Sequence, residues 1–397
     1  MSHSITSDAA SGMNRPVRIL HVITGLGIGG AESVLARLVV NTSSHFDNTV
    51  LSLAGDGPVA ARIQDAGVKL IFGNLRPSFS SPFAMARLFR PLREAKPDLI
   101  MGWMYHGAFA ATVFGKVLPG KPVIAWNIRQ TVLPAKAVKR STHAMFRLLR
   151  MMAHTPRAIV YNSGISVEQH ETLGFPLNRR WLIPNGIDTE LFKPDAVVRA
   201  HVRRQLGLQP DSFLIGLLAR YHPMKDHAGF LRALAIVVKA HPQVRGLLAG
   251  TGIDTENHEL TRLLRELGLE TKVFLMGELN LSRMAEMQQS LDLYVSSSIH
   301  EGLSNSIQEA MACGVPAVAT RVGDAPSLIG QTGLIVSPGD PAALAAAIIS
   351  IIQLENGQRH QLAAGARQRI LEHYSLSAMV QNYEHLYRKM LNPVPLA

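Results

Sequence analysis

The chain contains 397 residues, of which 47% are hydrophobic, and this length is too great for one hydrophobic core but suits two domains of about 180 residues each. No apolar run reaches the roughly 18 residues that a membrane-spanning helix requires, and the N-terminal segment lacks the apolar stretch of a signal peptide, so we expect a cytoplasmic protein. The single cysteine, Cys313, excludes an internal disulfide and a zinc site built on several cysteines.

The net charge of +11 is concentrated in the first half of the chain. Residues 1–190 contain 21 lysines and arginines against 11 acidic residues, whereas residues 191–397 contain 19 against 18. Such a basic half would attract an anionic membrane surface or a lipid-linked phosphate, although scattered charge that only confers solubility gives the same count. Aromatic side chains for stacking on bases are scarce in the basic stretch, so we expect no nucleic acid partner.

The first predicted elements, in chain order, are β-strands that alternate with α-helices. Residues 1–15 are predicted to form a disordered tail, and the sequence VRILHVI then predicts a strand. A glycine-rich turn and a helix follow this strand, and similar units recur as far as residue 190. Strands that alternate with helices are typical of a parallel, doubly wound sheet, so residues 16–190 are predicted to form a Rossmann-like domain.

The first turn, from Gly25 to Gly30, contains the pattern Gly-x-Gly-x-x-Gly. This pattern occurs in dinucleotide-binding enzymes, but it is weak by itself, and the second strand ends without the acidic residue that would bind a ribose. The glycines nevertheless let the backbone approach a ligand closely, with Gly29 and Gly30 at the start of the predicted helix.

Residues 135–154 combine an apolar stripe with many basic residues. This pattern is typical of a helix that lies on an anionic membrane surface, which favours peripheral membrane binding through the basic half. The same stripe would also suit a helix that packs against its own domain. The stripe consists of Val138, Met145, Leu149 and Met152, and the basic residues are Lys136, Lys139, Arg140, Arg147 and Arg150.

A turn-rich segment, WLIPNGIDTELFKPD, divides the chain near its middle, and a second series of strand and helix units follows in residues 191–375. Arg220 ends the predicted strand FLIGLLAR, and Lys225 follows it just before Asp226, which is able to cap the next helix. Two cations of different type on one loop suit a diphosphate, although an arginine at a strand end also often forms a structural ion pair. Residues 376–397 begin with the helical periodicity of SAMVQNYEHLYRKML.

Two carboxylates, Glu301 and Glu309, bracket a predicted helix start in HEGLSNSIQEAMACG. Glu309 could accept hydrogen bonds from ribose hydroxyls, and Glu301 would lie nearer a transferred sugar. The spacing from Ser306 to Glu309 also fits a capping box, in which Glu309 would only bond back to the helix. Unpaired backbone N–H groups at the helix start could donate to a diphosphate, and they belong to Gly302, Leu303 and Ser304.

Longer stretches of the sequence match one known family. HEGLSNSIQEAMACGVPAVAT resembles the nucleotide-sugar signature of the retaining glycosyltransferases of family 4, whose Glu-x7-Glu pair matches Glu301 and Glu309. GLLARYHPMKDH resembles the Gly-Arg-Leu-x-x-x-Lys motif of that family, with Ala219 in place of the glycine, and keeps Arg220 and Lys225 in register. Further matches between Val17 and about Tyr374 are GIGGAE, VYNSGIS, IPNGID, LLAGTG, FLMGEL and TGLIVSPGD.

The resemblance implies an α/β protein with the GT-B fold, in which two Rossmann-like, doubly wound domains face a cleft. Residues 16–190 would bind the acceptor, residues 191–375 would bind the nucleotide sugar, and the last helix, in residues 376–397, would cross back to the first domain. No metal or other cofactor is implied, and the chain contains no Asp-x-Asp triplet. The implied catalytic residues are Arg220, Lys225 and Glu301, and the implied donor-binding residues are Gly29, Gly30, Gly277, Leu279, Gly302, Leu303, Ser304 and Glu309.

Two positions depart from the family pattern. Many members have a histidine after the strand that here reads PVIAWNI, and this chain has Arg129 at the comparable place. A permanent cation cannot act as a general base, but on the acceptor side it could bind an acceptor phosphate or the leaving group of the donor. His106, after the preceding strand, could instead supply a catalytic imidazole, although a histidine there is often structural. Ser327 stands where a donor-binding glutamate is usual.

The sequence therefore predicts a cytoplasmic, retaining glycosyltransferase of the hexosyltransferase class, with possible peripheral binding to an anionic membrane. It would move a sugar from a nucleoside diphosphate, with UDP favoured, to a lipid-linked or other glycan acceptor, and the family implies surface polysaccharide or glycoconjugate biosynthesis. Two alternatives stay open. A sugar-nucleotide epimerase of the same architecture would need no acceptor, and a non-catalytic nucleotide-sugar-binding scaffold would dock on the membrane through the basic half.

Overall fold

The protein, analysed as a computed structural model, is described for residues 15–27, 29–75, 82–132 and 140–392. The predicted disordered tail lies outside the described residues except for Arg15. The guanidinium of Arg15 donates to both carboxylate oxygens of Asp98, at 2.7 and 2.8 Å. This ion pair connects Arg15 to the first domain, and the disordered tail stays a prediction.

The first domain is built on a seven-stranded parallel sheet with the strand order β3-β2-β1-β4-β5-β6-β7. Its strands are β1 (Val17–Ile23), β2 (Phe46–Ser52), β3 (Lys69–Phe72), β4 (Leu99–Trp103), β5 (Val123–Ile128), β6 (Ala158–Tyr161) and β7 (Arg180–Leu182). Its helices are α1 (Gly30–Thr42), α2 (Ala60–Asp65), α3 (Pro82–Ala95), α4 (Met104–Val117), α5 (Arg140–Met152) and α6 (Gly164–Thr172).

The second domain is built on a six-stranded parallel sheet with the strand order β10-β9-β8-β11-β12-β13. Its strands are β8 (Phe213–Leu218), β9 (Val244–Ala249), β10 (Val273–Leu275), β11 (Leu293–Ser296), β12 (Ala317–Thr320) and β13 (Gly333–Val336). The helices of this half are α7 (Ala196–Gln205), α8 (His227–Ala240), α9 (His258–Glu266), α10 (Leu281–Ser290), α11 (Asn305–Ala312), α12 (Ala325–Ile329), α13 (Pro341–Ile352), α14 (Asn356–His373) and α15 (Leu376–Leu391).

Both sheets have hydrophobic cores on their two faces, as the strand sequences predict. In β1, Ile19 and Ile23 enter one core, while Leu20 and Val22 enter another core on the opposite face. A strand that is buried on both faces reads as a continuous apolar run, which is why the sequence predicts parallel sheets. The predicted pair of Rossmann-like, doubly wound domains is confirmed.

The strand order reverses once in each sheet, between β1 and β4 in the first and between β8 and β11 in the second. Chains that cross to opposite faces at such a point leave a crevice at the carboxyl ends of the strands, where ligands bind in open α/β sheets. The loops that follow these strands carry most of the residues that the sequence assigns to a site.

The last helix, α15, packs on the first domain although it follows the second in sequence. Met379, Tyr383 and Tyr387 are buried in the same core as strand β1. The ring of Tyr383 stacks on Trp103 at a centroid distance of 6.5 Å. The burial of these aromatic side chains stabilises the attachment of α15 to the first domain.

The apolar stripe predicted for a membrane surface faces inward in α5. Leu149 is buried in a core that includes Trp126, and Met145 and Met152 pack against that core. For these three residues the alternative of a helix packed on its own domain is therefore correct, because their side chains contact the core of the first domain. Val138, Lys136 and Lys139 lie outside the described residues. Within the described part of the chain, no helix combines the length and the apolar character needed to cross a bilayer.

Candidate active site

A cavity of about 530 Å³ lies between the two domains, at the carboxyl ends of their strands. Loops after β1, β4, β5 and β6 contribute one wall, and loops after β8 and β11 contribute the other. The lining residues are Gly30, Ala31, Glu32, Met104, Arg129, Gln130, Thr131, Asn162, Asn185, Ala219, Arg220, Met224, Lys225, His300, Glu301, Gly302, Leu303, Ser304, Asn305 and Ser306.

The start of α11 borders this cavity. Ser304 is the N-cap residue, and its Oγ accepts a hydrogen bond from the N–H of Ile307 at 3.5 Å. Ser306 is therefore inside the helix, and the alternative of a capping box from Ser306 to Glu309 is wrong. Leu303 turns its side chain into the core of the second domain. The helix start is thus open to a ligand that accepts hydrogen bonds from N–H groups.

Glu309 lies in the second turn of α11, is half-buried and is not among the residues that line the cavity. Burial raises the pKa of Glu309 to about 7, and the positive charge of Arg37 opposes this rise. Arg37 belongs to α1 of the other domain and donates from Nη1 to the carbonyl oxygen of Gly186 at 2.7 Å. Glu309 is therefore a poorly hydrated carboxylate whose charge changes near neutral pH.

Lys225 and Glu301 form an ion pair on the wall of the second domain. The Nζ of Lys225 contacts Oε2 of Glu301, and Oγ of Ser298 donates to the same oxygen at 3.5 Å. The two charged side chains are 22% and 19% exposed, so they interact across a partly dehydrated space. The predicted phosphate-binding cation and the predicted sugar-binding carboxylate are therefore in direct contact.

The loop that carries Arg220 is fixed at both ends by hydrogen bonds. Asp226 has a left-handed φ of 49° and accepts from the N–H of Gly229 at 2.9 Å, so it caps α8 as predicted. His227 contacts the carbonyl oxygen of Ala219 with Nε2 at 3.3 Å. Arg220 itself is exposed, and no carboxylate of the described residues lies within ion-pair distance of it. The alternative of a structural ion pair at Arg220 is thus not observed in the described part of the chain.

The glycine-rich loop borders the cavity from the first domain. Gly29 precedes α1, and Gly30, the first residue of α1, lines the cavity. A Cβ atom at Gly29 would collide with the carboxylate of Glu32, which also lines the cavity. Burial raises the pKa of Glu32. Glu32 was not predicted as a site residue, although it lies within the quoted GIGGAE motif.

Three other predicted site residues do not line the cavity. His106 is half-buried in the first turn of α4, and burial lowers its pKa. Met104, two residues before His106, lines the cavity. Its φ of 60° is left-handed, which is a strained conformation for methionine. Gly277 has a φ of 65°, and its N–H and C=O both form backbone hydrogen bonds of 2.8 Å. The catalytic role of His106 and the donor contacts of Gly277 and Leu279 stay predictions.

Arg129 follows β5 and lines the cavity on the side predicted for the acceptor. Its guanidinium donates to the hydroxyl of Tyr383 at 2.7 Å and to Oδ1 of Asn127 at 3.1 Å, and it also donates to Oδ1 of Asn185. Asn185 in turn donates from Nδ2 to Oδ1 of Asn305, the first residue of α11, at 2.7 Å. A chain of hydrogen bonds thus joins Arg129 to the helix start in the opposite domain.

Two contacts join the domains directly beside the cavity. Oγ1 of Thr131 lies 3.1 Å from Nε2 of His300. The carboxylate of Asp324, in the loop after β12, accepts hydrogen bonds from the N–H groups of Gly164 at 2.7 Å and Ile165 at 3.0 Å. Burial raises the pKa of Asp324, and these N–H groups oppose the rise. Asp324 therefore caps α6 of the opposite domain.

We expect the Asp324→Ala variant to be destabilised and to open more easily. Loss of the two hydrogen bonds at the start of α6 should lower the free energy of unfolding by about 1 to 2 kcal/mol. The matched control is Asp340→Ala, because Asp340 caps α13 within one domain through the N–H of Ala343 at 2.9 Å. The midpoint temperature of thermal unfolding should fall in both variants. The radius of gyration from X-ray scattering should increase only for Asp324→Ala. Equal radii of gyration would contradict a role of Asp324 in domain closure.

Several residues at the cavity were not predicted. His300 adjoins Glu301 in sequence, and Thr131 lies two positions after Arg129. Asn185 lies in the quoted IPNGID motif, which was the available signal for it. Their partners lie in the other domain, so no local pattern predicts the contacts. Among the described residues, no three His, Cys, Asp or Glu side chains lie together as potential metal ligands.

Family models match both domains of this chain. The model described as Glycosyl transferases group 1 matches residues 198–369, which include Arg220, Lys225, Glu301 and Glu309. The model described as Glycosyltransferase Family 4 matches residues 28–191, which form most of the first domain. The two matches together cover both walls of the cavity.

Individual relatives agree with this assignment. A D-inositol 3-phosphate glycosyltransferase from Thermomonospora curvata is 31% identical over 210 residues, or 49% of this chain and 48% of that protein, so the chain spans about half the length of this relative. A putative glycosyltransferase EpsF from Bacillus subtilis is 26% identical over 323 residues, or 76% of this chain and 78% of that protein. The crystal structure of Anabaena HepE in complex with UDP has a TM-score of 0.82 at 22% identity, covers 94% of this chain and 100% of that chain, and shows the same fold. The chain belongs to glycosyltransferase family 4.

Proposed function

We propose that this protein is a retaining glycosyltransferase that moves a hexose from a nucleoside diphosphate, with UDP favoured, to a hydroxyl of a lipid-linked or other glycan acceptor. The observation that carries the proposal is that Arg220, Lys225 and the start of α11 converge on the cavity that Glu301 also lines. Two cations and the N–H groups of a helix start suit a diphosphate, and the carboxylate suits a sugar hydroxyl. The proposal includes a role in surface polysaccharide or glycoconjugate biosynthesis.

In the proposed reaction, the bond between C1 of the sugar and the diphosphate oxygen breaks, and C1 forms a bond to the acceptor oxygen on the same face. Arg220, Lys225 and the N–H groups of α11 stabilise the negative charge on the leaving diphosphate. The leaving phosphate oxygen takes the proton of the acceptor hydroxyl, so no protein base is required, although His106 stays the candidate imidazole. Positive charge from the protein stands in place of a bound metal ion in this proposal.

The preference for UDP is supported by a protein of the same fold. Anabaena HepE has been crystallised with UDP and also with UDP-glucose, the latter complex with a TM-score of 0.78. Inositol phosphate, which appears in the name of the Thermomonospora curvata relative, is not part of the proposal, because the match spans only about half of that protein.

Calorimetric titration with UDP-, GDP- and ADP-sugars tests the proposal. We expect one sugar nucleotide to bind, and we expect Glu309→Ala to weaken this binding about 10- to 100-fold, because a carboxylate that accepts ribose hydroxyls is lost. Glu190→Ala, which removes a surface glutamate paired with Lys193, is the control and should bind like the wild type. Failure of the wild type to bind any sugar nucleotide would exclude the proposed function.

The same labelled donor separates the transferase from its two alternatives. A transferase should release the nucleoside diphosphate and move the label to an acceptor in a membrane or glycan extract. Conversion of the labelled sugar to an epimer without any acceptor would instead favour the epimerase. Binding of the donor with no turnover in any extract would favour the scaffold.

We further propose that the protein is cytoplasmic and binds anionic membranes through the exposed face of α5. Arg147 and Arg150 are exposed, and Met151, which follows Arg150, is 82% exposed. Removing both arginines should weaken binding to phosphatidylserine vesicles about 30-fold, since each basic residue near the surface contributes about 1 kcal/mol. Co-sedimentation of Arg147→Ala/Arg150→Ala is compared with Arg262→Ala/Arg265→Ala, a pair on the second domain. Equal binding of both variants and the wild type would remove this proposal.

A further inference from the structure

Arg129 carries a buried positive charge whose hydrogen-bond partners are all neutral. The residue is only 9% exposed, and its guanidinium donates to Asn127, Asn185 and Tyr383. The guanidinium carbon also lies 5.9 Å from the centre of the Trp103 ring. Each of these groups orients the guanidinium, but none of them carries a negative charge at neutral pH.

No carboxylate of the described residues lies within ion-pair distance of Arg129. Its Nε is buried and has no hydrogen-bond partner within that part of the chain. Burial lowers the pKa of Arg129, and only the hydroxyl of Tyr383 opposes this change. Buried charges in proteins are normally paired, because an uncompensated charge in a dehydrated site costs several kcal/mol. An unpaired buried arginine on a ligand cavity is therefore an arrangement that requires an anion from elsewhere.

Arg129 lines the cavity and keeps a donor that no hydrogen-bond partner among the described residues uses. Both hydrogens of Nη1 are used by Asn127 and Tyr383, whereas Nη2 uses one hydrogen for Asn185 and keeps one. Arg129 lines the cavity, and through Asn185 it is connected to Asn305 at the start of α11. An anion next to Nη2 would thus lie between a permanent cation of one domain and the positive end of a helix of the other.

We propose that Arg129 binds an anionic oxygen of a substrate in the cleft, a phosphate or carboxylate oxygen that supplies the missing counter-charge. This inference rests on the proposed function, because it assigns one more contact to the same cavity. The anion has two possible sources with the same chemistry, namely the diphosphate of the donor and an anionic group on the acceptor. In both cases the first domain contributes a permanent cation, whereas family members with a histidine at this position lack one.

Two variants remove the free charge in different ways. Arg129→Met deletes the cation and keeps much of the side-chain volume. Asn127→Asp instead places a carboxylate 3.1 Å from Nη1, behind the cavity wall, where the hydroxyl of Tyr383 is able to donate to it. If Arg129→Met fails to fold, Asn127→Asp still tests the proposal, since it should fold like the wild type and neutralise Arg129 from inside the protein.

The first measurement is calorimetric titration of the whole chain with UDP and with uridine, or with the GDP or ADP pair where the sugar-nucleotide panel selects that base. If the donor diphosphate is the anion, both variants should bind UDP about 10- to 100-fold more weakly and bind uridine like the wild type. If the acceptor is the source, UDP binding should not change. Inorganic phosphate should then bind to the UDP-saturated wild type and bind at least tenfold more weakly to both variants.

The outcomes separate this inference from the proposed function. Wild-type levels of UDP and phosphate binding in both variants would overturn the role of Arg129 and leave the proposed function intact. Failure of the wild type to bind any nucleotide would remove both.

Discussion

Replacement of Lys225 by Met is expected to slow sugar transfer by about 100- to 1000-fold, the effect of removing one group that stabilises developing charge in a dehydrated site. Lys225 lies on the loop after β8 and lines the same cavity as the helix start that would hold the diphosphate. Its charge should matter most when the leaving diphosphate gains charge, so kcat should fall more than the affinity for the donor. Release of UDP from the selected sugar nucleotide measures this rate.

The matched control is Lys193→Met, because Lys193 also forms an ion pair with a glutamate but lies 48% exposed on the surface. This variant loses the same charge and should retain the wild-type rate. A wild-type rate in Lys225→Met would contradict the assignment of Lys225 to the leaving group. A lower donor affinity with unchanged kcat would instead show that the charge of Lys225 stabilises the bound donor and not the transition state.

The contact of Lys225 with Glu301 predicts that variants of the two residues have non-additive effects on the rate. Since the two side chains are bonded to each other, Glu301→Gln should release Lys225 from its partner as well as remove the carboxylate from the sugar. The double variant should then be about as slow as the slower single variant, because residues that act as a unit have strongly non-additive effects. Effects that multiply would show that the ion pair has no part in the shared function.

The sequence was sufficient for the sheets and for one wall of the cavity. Parallel strands buried on both faces give continuous apolar runs, and their carboxyl ends meet at one edge of the sheet. Arg220, Lys225 and Glu301 follow β8 and β11, which are hydrogen-bonded neighbours, so their convergence could be predicted from the order of elements. The family motif added the expectation that these loops face a second domain.

The sequence was not sufficient where partners come from distant segments. The guanidinium of Arg129 is held by Tyr383, which lies 254 positions later in the chain, and Asp324 caps a helix that begins 160 positions earlier. No local periodicity contains such pairs, because they depend on how α15 and the two domains pack. The stripe in α5 shows the same limit, since amphipathic periodicity describes a helix with one apolar face and does not say whether a membrane or a protein core covers it.

Binding of a UDP-sugar is expected to depend on pH through Glu309. Its pKa is raised to about 7 by burial, so in the unbound protein the carboxylate is charged at pH 8 and protonated at pH 6. Ribose hydroxyls donate best to the charged form, so the affinity should fall about tenfold from pH 8 to pH 6. A UDP-sugar is the suitable ligand because its diphosphate does not titrate in this range.

Glu309→Gln should bind the same UDP-sugar about 10- to 100-fold more weakly at pH 8, and its affinity should not change with pH, because an amide does not ionise.

The stability of Glu309→Gln should change in the opposite direction and increase at pH 8. A group whose pKa is higher in the folded state than its ordinary value of 4.5 favours folding below pH 4.5, and that contribution is lost as the pH rises through 7. The unliganded variant should therefore unfold at a higher temperature than the wild type at pH 8, and the difference should vanish near pH 4.5. A pH-dependent affinity in Glu309→Gln would assign the titration to another group. A lower unfolding temperature at pH 8 would contradict the expectation that burial of the Glu309 carboxylate outweighs the attraction of Arg37.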